Sequence, residues 1–158
     1  MTRAHWPDVQ VIYARGVREG NATFEEDVPE WEAWDVAHHP HSRLVALDGE
    51  RVIGWAALSP VSRRACYAGV AEVSVYVASD SRAMGVGSAL LGALVESAER
   101  HGIWTLQASV FPENDATRRL HARHGFRELG QRERVARHRG RWRNTLLLER
   151  RSGTVGVD

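Results

Sequence analysis

The sequence predicts an α/β (α+β) fold, a mixed and mostly antiparallel central sheet with helices on both faces. Three observations lead there. Alternating, β-branched runs pair as hairpins across Asp48-Gly49 and again around Gly140. Between those hairpins strand and helix patterns alternate, which calls for crossover connections. Two amphipathic segments precede the first strand, so the order reads αα-ββ-β-α-β-α and then terminal strands. At 158 residues, 43% hydrophobic and 26% charged, the chain suits a single domain with its own core. That domain is expected over residues 1–150, with a mobile tail at 151–158.

Taken in order, Trp6-Pro7-Asp8 marks a helix start, and Val9, Ile12, Tyr13 and Val17 share one face. This first helix runs to about Gly16 or Arg18. Residues 20–25 read as a loop. Residues 29–34 suit a second helix, with proline early and acids in the first turn, ended by His38-His39-Pro40-His41. These three histidines have the wrong spacing for one helical face, and no cysteine or carboxylate cluster joins them. A polar loop is expected there, not a metal site. Residues 43–47 and 51–58 are strands, followed by a polar loop over 59–69. Glu72-Val-Ser-Val-Tyr-Val77 is the next strand. After a glycine-containing loop, Val86, Leu90, Leu94 and Ala98 share a helical face up to His101-Gly102. Residues 105–110 form a strand and 116–124 a short helix closed by Gly125. Three final strands are expected, at 126–130, around 132–136, and at 142–149.

Composition excludes several classes. The chain has no run of about 18 apolar residues and no signal-peptide pattern, so no membrane span and a cytoplasmic location are expected. Cys66 stands alone, which rules out an internal disulfide and a multi-cysteine metal site. The net charge of +1 does not suggest a polyanion binder. Eight arginines nevertheless fall between Arg132 and Arg151. They are solvated strand faces or, in the alternative, a nucleic-acid surface, although no aromatic-interleaved RNA-module pattern accompanies them.

The most informative stretch is Arg82-Ala-Met-Gly-Val-Gly87, placed between a strand and a helix start. A helix N-terminus with free amides at Met84 to Ser88 is an anion site. A P-loop would need Gly-Lys-Ser/Thr, but Gly87 is followed by Ser88 and Ala89, and the chain contains no lysine. A dinucleotide fingerprint would need glycine at position 90, which is Leu90.

Arg82-x-x-Gly-x-Gly87 resembles the pyrophosphate-binding motif of the GCN5-related N-acetyltransferases, the GNAT superfamily, which hold acetyl-CoA in this way. Asn114-Asp-Ala-Thr-Arg-Arg-Leu-His-Ala-Arg-His-Gly-Phe126 resembles the segment of that superfamily in which an asparagine caps a helix ending in Gly-Phe. The wider chain is similar to one branch, the phosphinothricin and methionine sulfoximine N-acetyltransferases. The matches are Asn21-Ala-Thr-Phe-Glu25, Trp34, Tyr67, Glu72-Val-Ser-Val-Tyr-Val77, Leu120-His121 and Gly140-Arg-Trp142, spanning about residues 9–148. There are two departures. Little chain precedes Trp6 to supply the family's first strand. Ala68 stands where many members carry a basic residue after the tyrosine, a role Arg63 or Arg64 could take over.

The resemblance implies a GNAT-like sheet, acetyl-CoA as cosubstrate, no metal, a small-molecule amine as partner, and a homodimer. It implies Glu72 as general base, directly or through water, or else as a structural ion-pair partner. Backbone groups of Val75, Tyr76 and Val77 would meet the pantetheine arm, and one N–H there would stabilise the thioester oxygen. Amides around Arg82, Met84, Gly85, Val86, Gly87 and Ser88 would hold the pyrophosphate. The Ser88 hydroxyl would add to them, and Arg82 would add charge or simply hold the loop. His121 would protonate the leaving thiolate or pack along its channel. Asn114 would hold pantetheine amides or serve as an N-cap. Phe24, Glu25, Trp34 and Tyr67 would wall the acceptor pocket, or the aromatics would be core. The expected activity is direct acetyl transfer to a phosphinothricin- or methionine sulfoximine-like amino acid. The alternatives are another amine (a polyamine, an aminoglycoside or a protein N-terminus), or a non-catalytic module gripping nucleic acid with the arginine-rich C-terminal hairpin.

Overall fold

In the computed structural model, which describes residues 1–157, apolar spacing and turn chemistry set the elements in order. Helix α1 (Trp6–Glu19) starts on Pro7 and stops at Gly20, whose φ of 70° ends the helical path. Helix α2 is Trp31–Ala37. Strands β1 (Leu44–Asp48) and β2 (Arg51–Pro60) pair antiparallel across the Gly49 turn. Strand β3 is Val70–Val77, helix α3 is Val86–Arg100, and strand β4 is Thr105–Val110. Helix α4 is Asp115–Arg123, and β5 (Arg127–His138) and β6 (Arg141–Arg151) close the chain. No strand precedes α1 among the described residues.

The six strands lie in the order β1-β2-β3-β4-β6-β5, and every neighbouring pair is antiparallel except β3 with β4. One expectation changes. The runs at 126–130 and 132–136 are one strand, because β6 offers a continuous partner. Register shifts at Glu128/Gly130 and Arg132/Ala136 absorb the interruptions that sequence alone reads as a break. Within the expected tail 151–158, residues as far as Gly156 carry hydrogen bonds of their own. The Arg151 guanidinium donates to the carbonyls of Val155 and Gly156, and the Ser152 hydroxyl donates to Glu99 and accepts the amides of Thr154 and Val155. Asp158 lies outside the described residues.

Alternation along β2 sorts the two cores. Ala56 and Leu58 face α3, where Leu90, Leu91 and Leu94 meet Leu106 and Leu148. Trp55 and Ala57 face the other way, onto α1 and α2, among Trp6, Val9, Ile12 and Trp34. Trp34 is therefore a core residue, 1% exposed, packed between Trp6 at 5.4 Å and Trp55 at 5.9 Å. It lines no part of the cleft between β3 and β4.

The feature that makes a site is the β3–β4 pair. Its parallel register covers only Val70↔Thr105, Ala71↔Leu106 and Glu72↔Gln107. Beyond Glu72, β3 continues to Val77 and β4 to Val110 without pairing to each other. Outer partners hold each strand extended: β2 accompanies β3 from Ala71 to Val77, and β6 accompanies β4 throughout. The two half-sheets thus splay apart, and their inner backbone N–H and C=O groups are left without sheet partners.

Replacing Trp34 by alanine is expected to cost about 3–5 kcal/mol of unfolding free energy, read by urea denaturation. A conservative Trp34→Phe variant is expected to lose less than the alanine variant, since the smaller ring keeps part of the aromatic packing.

Candidate active site

A cleft of about 550 Å³ fills the space between the diverging strands. Ser74, Val75 and Tyr76 of β3 form one wall, and Ala108 to Val110 of β4 the other. Thr117, Leu120 and His121 of α4 close it on the α3 side. Phe24 and Glu25 of the loop after α1 reach it from the α1 side.

Glu72 is the last residue of β3 that pairs with β4, so its half-buried carboxylate stands where the cleft begins. Among the described residues it forms no ion pair and no side-chain hydrogen bond. Next to it on the same face, Tyr76 stacks on Trp55 at 4.8 Å and meets Tyr13 at 5.0 Å. Burial first, and then the charge of Glu25, push the Tyr13 phenol up to about 12. Burial also raises the Tyr76 phenol. Both hydroxyls stay protonated near neutrality.

His121 projects from α4 and is 4% exposed. Its Nδ1–H donates to the Thr117 carbonyl at 2.8 Å, which leaves Nε2 bare, buried and without a partner. Burial pulls its pKa below the ordinary histidine value; the Thr117 bond opposes this and His124 reinforces it. The resting imidazole is neutral and presents an acceptor. His38 is built the same way, with Nδ1 on the Trp34 carbonyl at 2.7 Å and its ring stacked on Trp34 at 4.1 Å. Burial lowers its pKa too, and it lines the cleft. Sequence reading placed His38 in a polar surface loop, because the four-residue step back to Trp34 belongs to the final turn of a helix expected to end sooner.

The glycine loop lies at the far end. Gly85, with φ of 84°, caps α3, a conformation that glycine adopts without strain. The first helical amide with an acceptor is Ala89, on the Gly85 carbonyl at 3.0 Å, so α3 itself does not use the amides of Val86, Gly87 and Ser88. Gly87 sits against Leu120 and Val77; a Cβ there would be 3.4 and 3.5 Å from their side chains. Arg82 ties the loop to the end of α1, donating to Glu19 at 2.8 Å, and its bond holds the Glu19 carboxyl below the usual range. The Ser88 hydroxyl bonds His124 Nε2 at 2.8 Å, and Met84 is exposed.

Other expected residues sort differently. Asn114 caps α4, accepting the Thr117 amide at 3.1 Å, and donates to the Asn21 carbonyl at 2.9 Å, tying the 20–25 loop to the cleft rim. Phe24, packed edge-on against Phe111 at 5.0 Å, does line the cleft. Tyr67 does not. It belongs to the short turn Ala65–Tyr67, is 44% exposed, and lines a second cleft of about 440 Å³ with Val70 and Gln107. Neither Arg63 nor Arg64 lines the first cleft; Arg64 lies over the Tyr67 ring.

Five of the eight C-terminal arginines are bonded inside the chain. Arg132 reaches Ser109 and Thr145, Arg139 the Val17 carbonyl, Arg143 the Gly20 carbonyl, Arg150 Glu99, and Arg151 the Trp104 carbonyl. That leaves a weak electrostatic footprint for nucleic acid. Among the described residues no group of His, Cys, Asp and Glu is arranged to hold a metal ion, and no helix is long and apolar enough to cross a membrane.

Comparison with known proteins converges on this arrangement. The model of the acetyltransferase (GNAT) family matches residues 6–126. The phosphinothricin N-acetyltransferase of Streptomyces coelicolor is 33% identical over 147 residues, covering 88% of this chain and 86% of that protein. The L-methionine sulfoximine/L-methionine sulfone acetyltransferase of Pseudomonas aeruginosa is 32% identical over 152 residues, covering 92% and 88%. The crystal structure of a GNAT superfamily phosphinothricin acetyltransferase from Sinorhizobium meliloti, in complex with AcCoA, superposes with a TM-score of 0.91 at 27% identity, over 100% of this chain and 89% of that one. A splayed parallel pair, a glycine-capped helix at its open end and a family match over most of the chain lead to one conclusion: the chain belongs to the GNAT acetyltransferase family.

Proposed function

We propose that this acetyltransferase moves the acetyl group of acetyl-CoA directly to the primary amine of a small amino acid of the phosphinothricin or methionine sulfoximine kind, with Glu72 as general base. The carrying observation is the unpaired Glu72 carboxylate at the closed end of the β3–β4 cleft, with the free amides of α3 at the open end. The relatives named above support the acceptor class.

The cosubstrate supplies an acetyl group on a good leaving thiolate. The chain supplies the rest. The α3 amides of Val86 to Ser88 and the helix dipole would hold the pyrophosphate. The open edge of β3 at Val75 to Val77 offers backbone groups to the pantetheine arm, and one N–H there would meet the charge developing on the thioester oxygen. Glu72 takes a proton from the acceptor ammonium, the freed amine nitrogen bonds the acetyl carbon as the C–S bond breaks, and the second proton shed by that nitrogen goes to the departing thiolate. His121 is neutral at rest, so it serves as the shuttle: Nε2 takes up that second proton and passes it to sulfur, while the Nδ1–H bond to Thr117 fixes the ring.

A homodimer belongs to the same proposal. β5 is a free sheet edge, and Leu129 and Trp142 are exposed on its hairpin. Light scattering on a size-exclusion column is expected to give about twice the chain mass of 17.7 kDa; a single-chain mass removes the dimer.

Glu72→Gln is expected to lower kcat by roughly 10²- to 10⁴-fold with acetyl-CoA affinity by calorimetry nearly unchanged. Wild-type turnover in that variant would take Glu72 out of the role. The depressed His121 pKa also sets a sign for stability. The unfolded histidine binds its proton near 6.5, above the folded value, so the contribution is complete above that pH and is lost as pH falls. His121→Gln is expected to flatten the acid side of a Tm-against-pH curve relative to wild type, and an unchanged slope would refute a neutral buried imidazole.

A further inference from the structure

The cleft holds opposite charges, and acid–base chemistry uses only one sign of them. Glu25 and Glu72 provide the negative side. Arg132, on β5, provides the positive side, and it is the one arginine among the described residues that lines the cleft. Its guanidinium is oriented by two hydroxyls of the same cleft. Nε donates to Thr145 Oγ1 at 3.1 Å, and Nη2 donates to Ser109 Oγ at 2.8 Å. Hydroxyls fix direction but carry no charge. Arg143 and Arg150 of the same hairpin have Glu113 and Glu99 as counter-ions, whereas Arg132 forms no ion pair among the described residues. Its Nη1 has no partner there either.

Register places this charge relative to the base. Ser109 lies two residues along β4 from Gln107, and Gln107 stands opposite Glu72. Two residues rise about 6–7 Å, and adjacent strands stand about 5 Å apart, so a molecule only a few bonds long reaches both groups. A planar fork already held by two hydroxyls loses little freedom when it takes up a carboxylate or phosphinate through paired, charge-assisted bonds.

We propose that Arg132 binds the anionic group of the acceptor and makes the enzyme select amines that carry a carboxylate or phosphinate over neutral and cationic ones. The assignment rests on the reading of Glu72 as the base that receives the ammonium. Arg132 is a specificity-determining residue. It touches no reacting bond, so its loss acts on acceptor KM more than on kcat.

The test measures initial rates of thiol release from acetyl-CoA with L-methionine sulfone and with its carboxamide, which keeps the amine and removes the anion. Wild type, Arg132→Gln and Arg132→Lys are compared. Wild type is expected to favour the acid. Arg132→Gln is expected to raise KM for the acid roughly 10- to 100-fold, the range for a lost charge-assisted bond, and to leave the carboxamide within about two-fold. Arg132→Lys is expected to recover part of the loss, with acetyl-CoA KM at the wild-type value in both variants. Equal losses on acid and carboxamide would make Arg132 a tie between β4, β5 and β6 and overturn the proposal. Wild-type turnover of neutral amines, indifferent to Arg132→Gln, would overturn it while leaving acetyl transfer in place. No thiol release with any amine would remove the proposed function itself, and this inference with it.

Discussion

The parting of β3 from β4 after Glu72 is the constraint on which the other parts depend. A parallel ladder would have satisfied the inner edges of both strands and left no room between them. It stops at Glu72↔Gln107, and beyond that point β2 and β6 keep β3 and β4 extended by their outer edges alone. Two half-sheets with their own twist diverge once their shared register stops at three pairs. The backbone groups facing the gap must then meet water or an extended ligand. A ligand that lies along β3 recovers strand-like bonding, a mode of recognition open to any chain with polar groups at the right spacing.

Packing keeps the opening from collapsing. On the α1 side, Tyr76 is held between Tyr13 and Trp55, and α1 approaches it closely because Gly16 has no side chain; a Cβ there would stand 2.7 Å from the Tyr76 ring. Alanine would gain the helix about 1 kcal/mol of intrinsic propensity, less than a clash with a packed aromatic ring would cost. On the other side, Leu120 and Phe126 seat α4 against the core that α3 shares with the sheet. Each wall is therefore braced from behind.

Electrostatics within the cleft follow from the same burial. Desolvation keeps His38 and His121 neutral, and each spends its Nδ1–H on a carbonyl four residues earlier. The formal charges lining the cleft reduce to Glu25, Glu72 and Arg132.

Periodicity and turn chemistry in the sequence sufficed for the helices, for most strands and for the mixed sheet, because those features depend on neighbours a few residues apart. The glycine loop was legible for the same reason: a strand, a left-handed cap and a helix start are local, whereas Glu72 stood out only through the resemblance its strand carries. Tertiary structure decided the rest. An aromatic residue reads alike whether it packs in a core or walls a pocket, so Trp34 and Tyr67 could be sorted only by what lies opposite them. An arginine on a terminal strand reads as solvated, so Arg132 became visible only when β5 and β6 brought it beside Ser109, 23 residues away in sequence. Likewise β5 is one strand because its partner β6 is continuous, and the segment to Gly156 is held because Arg151 and Ser152 meet it after a turn. The sequence alone determined which segments fold and where a glycine-capped helix begins; non-local pairing determined which side chains share the cleft.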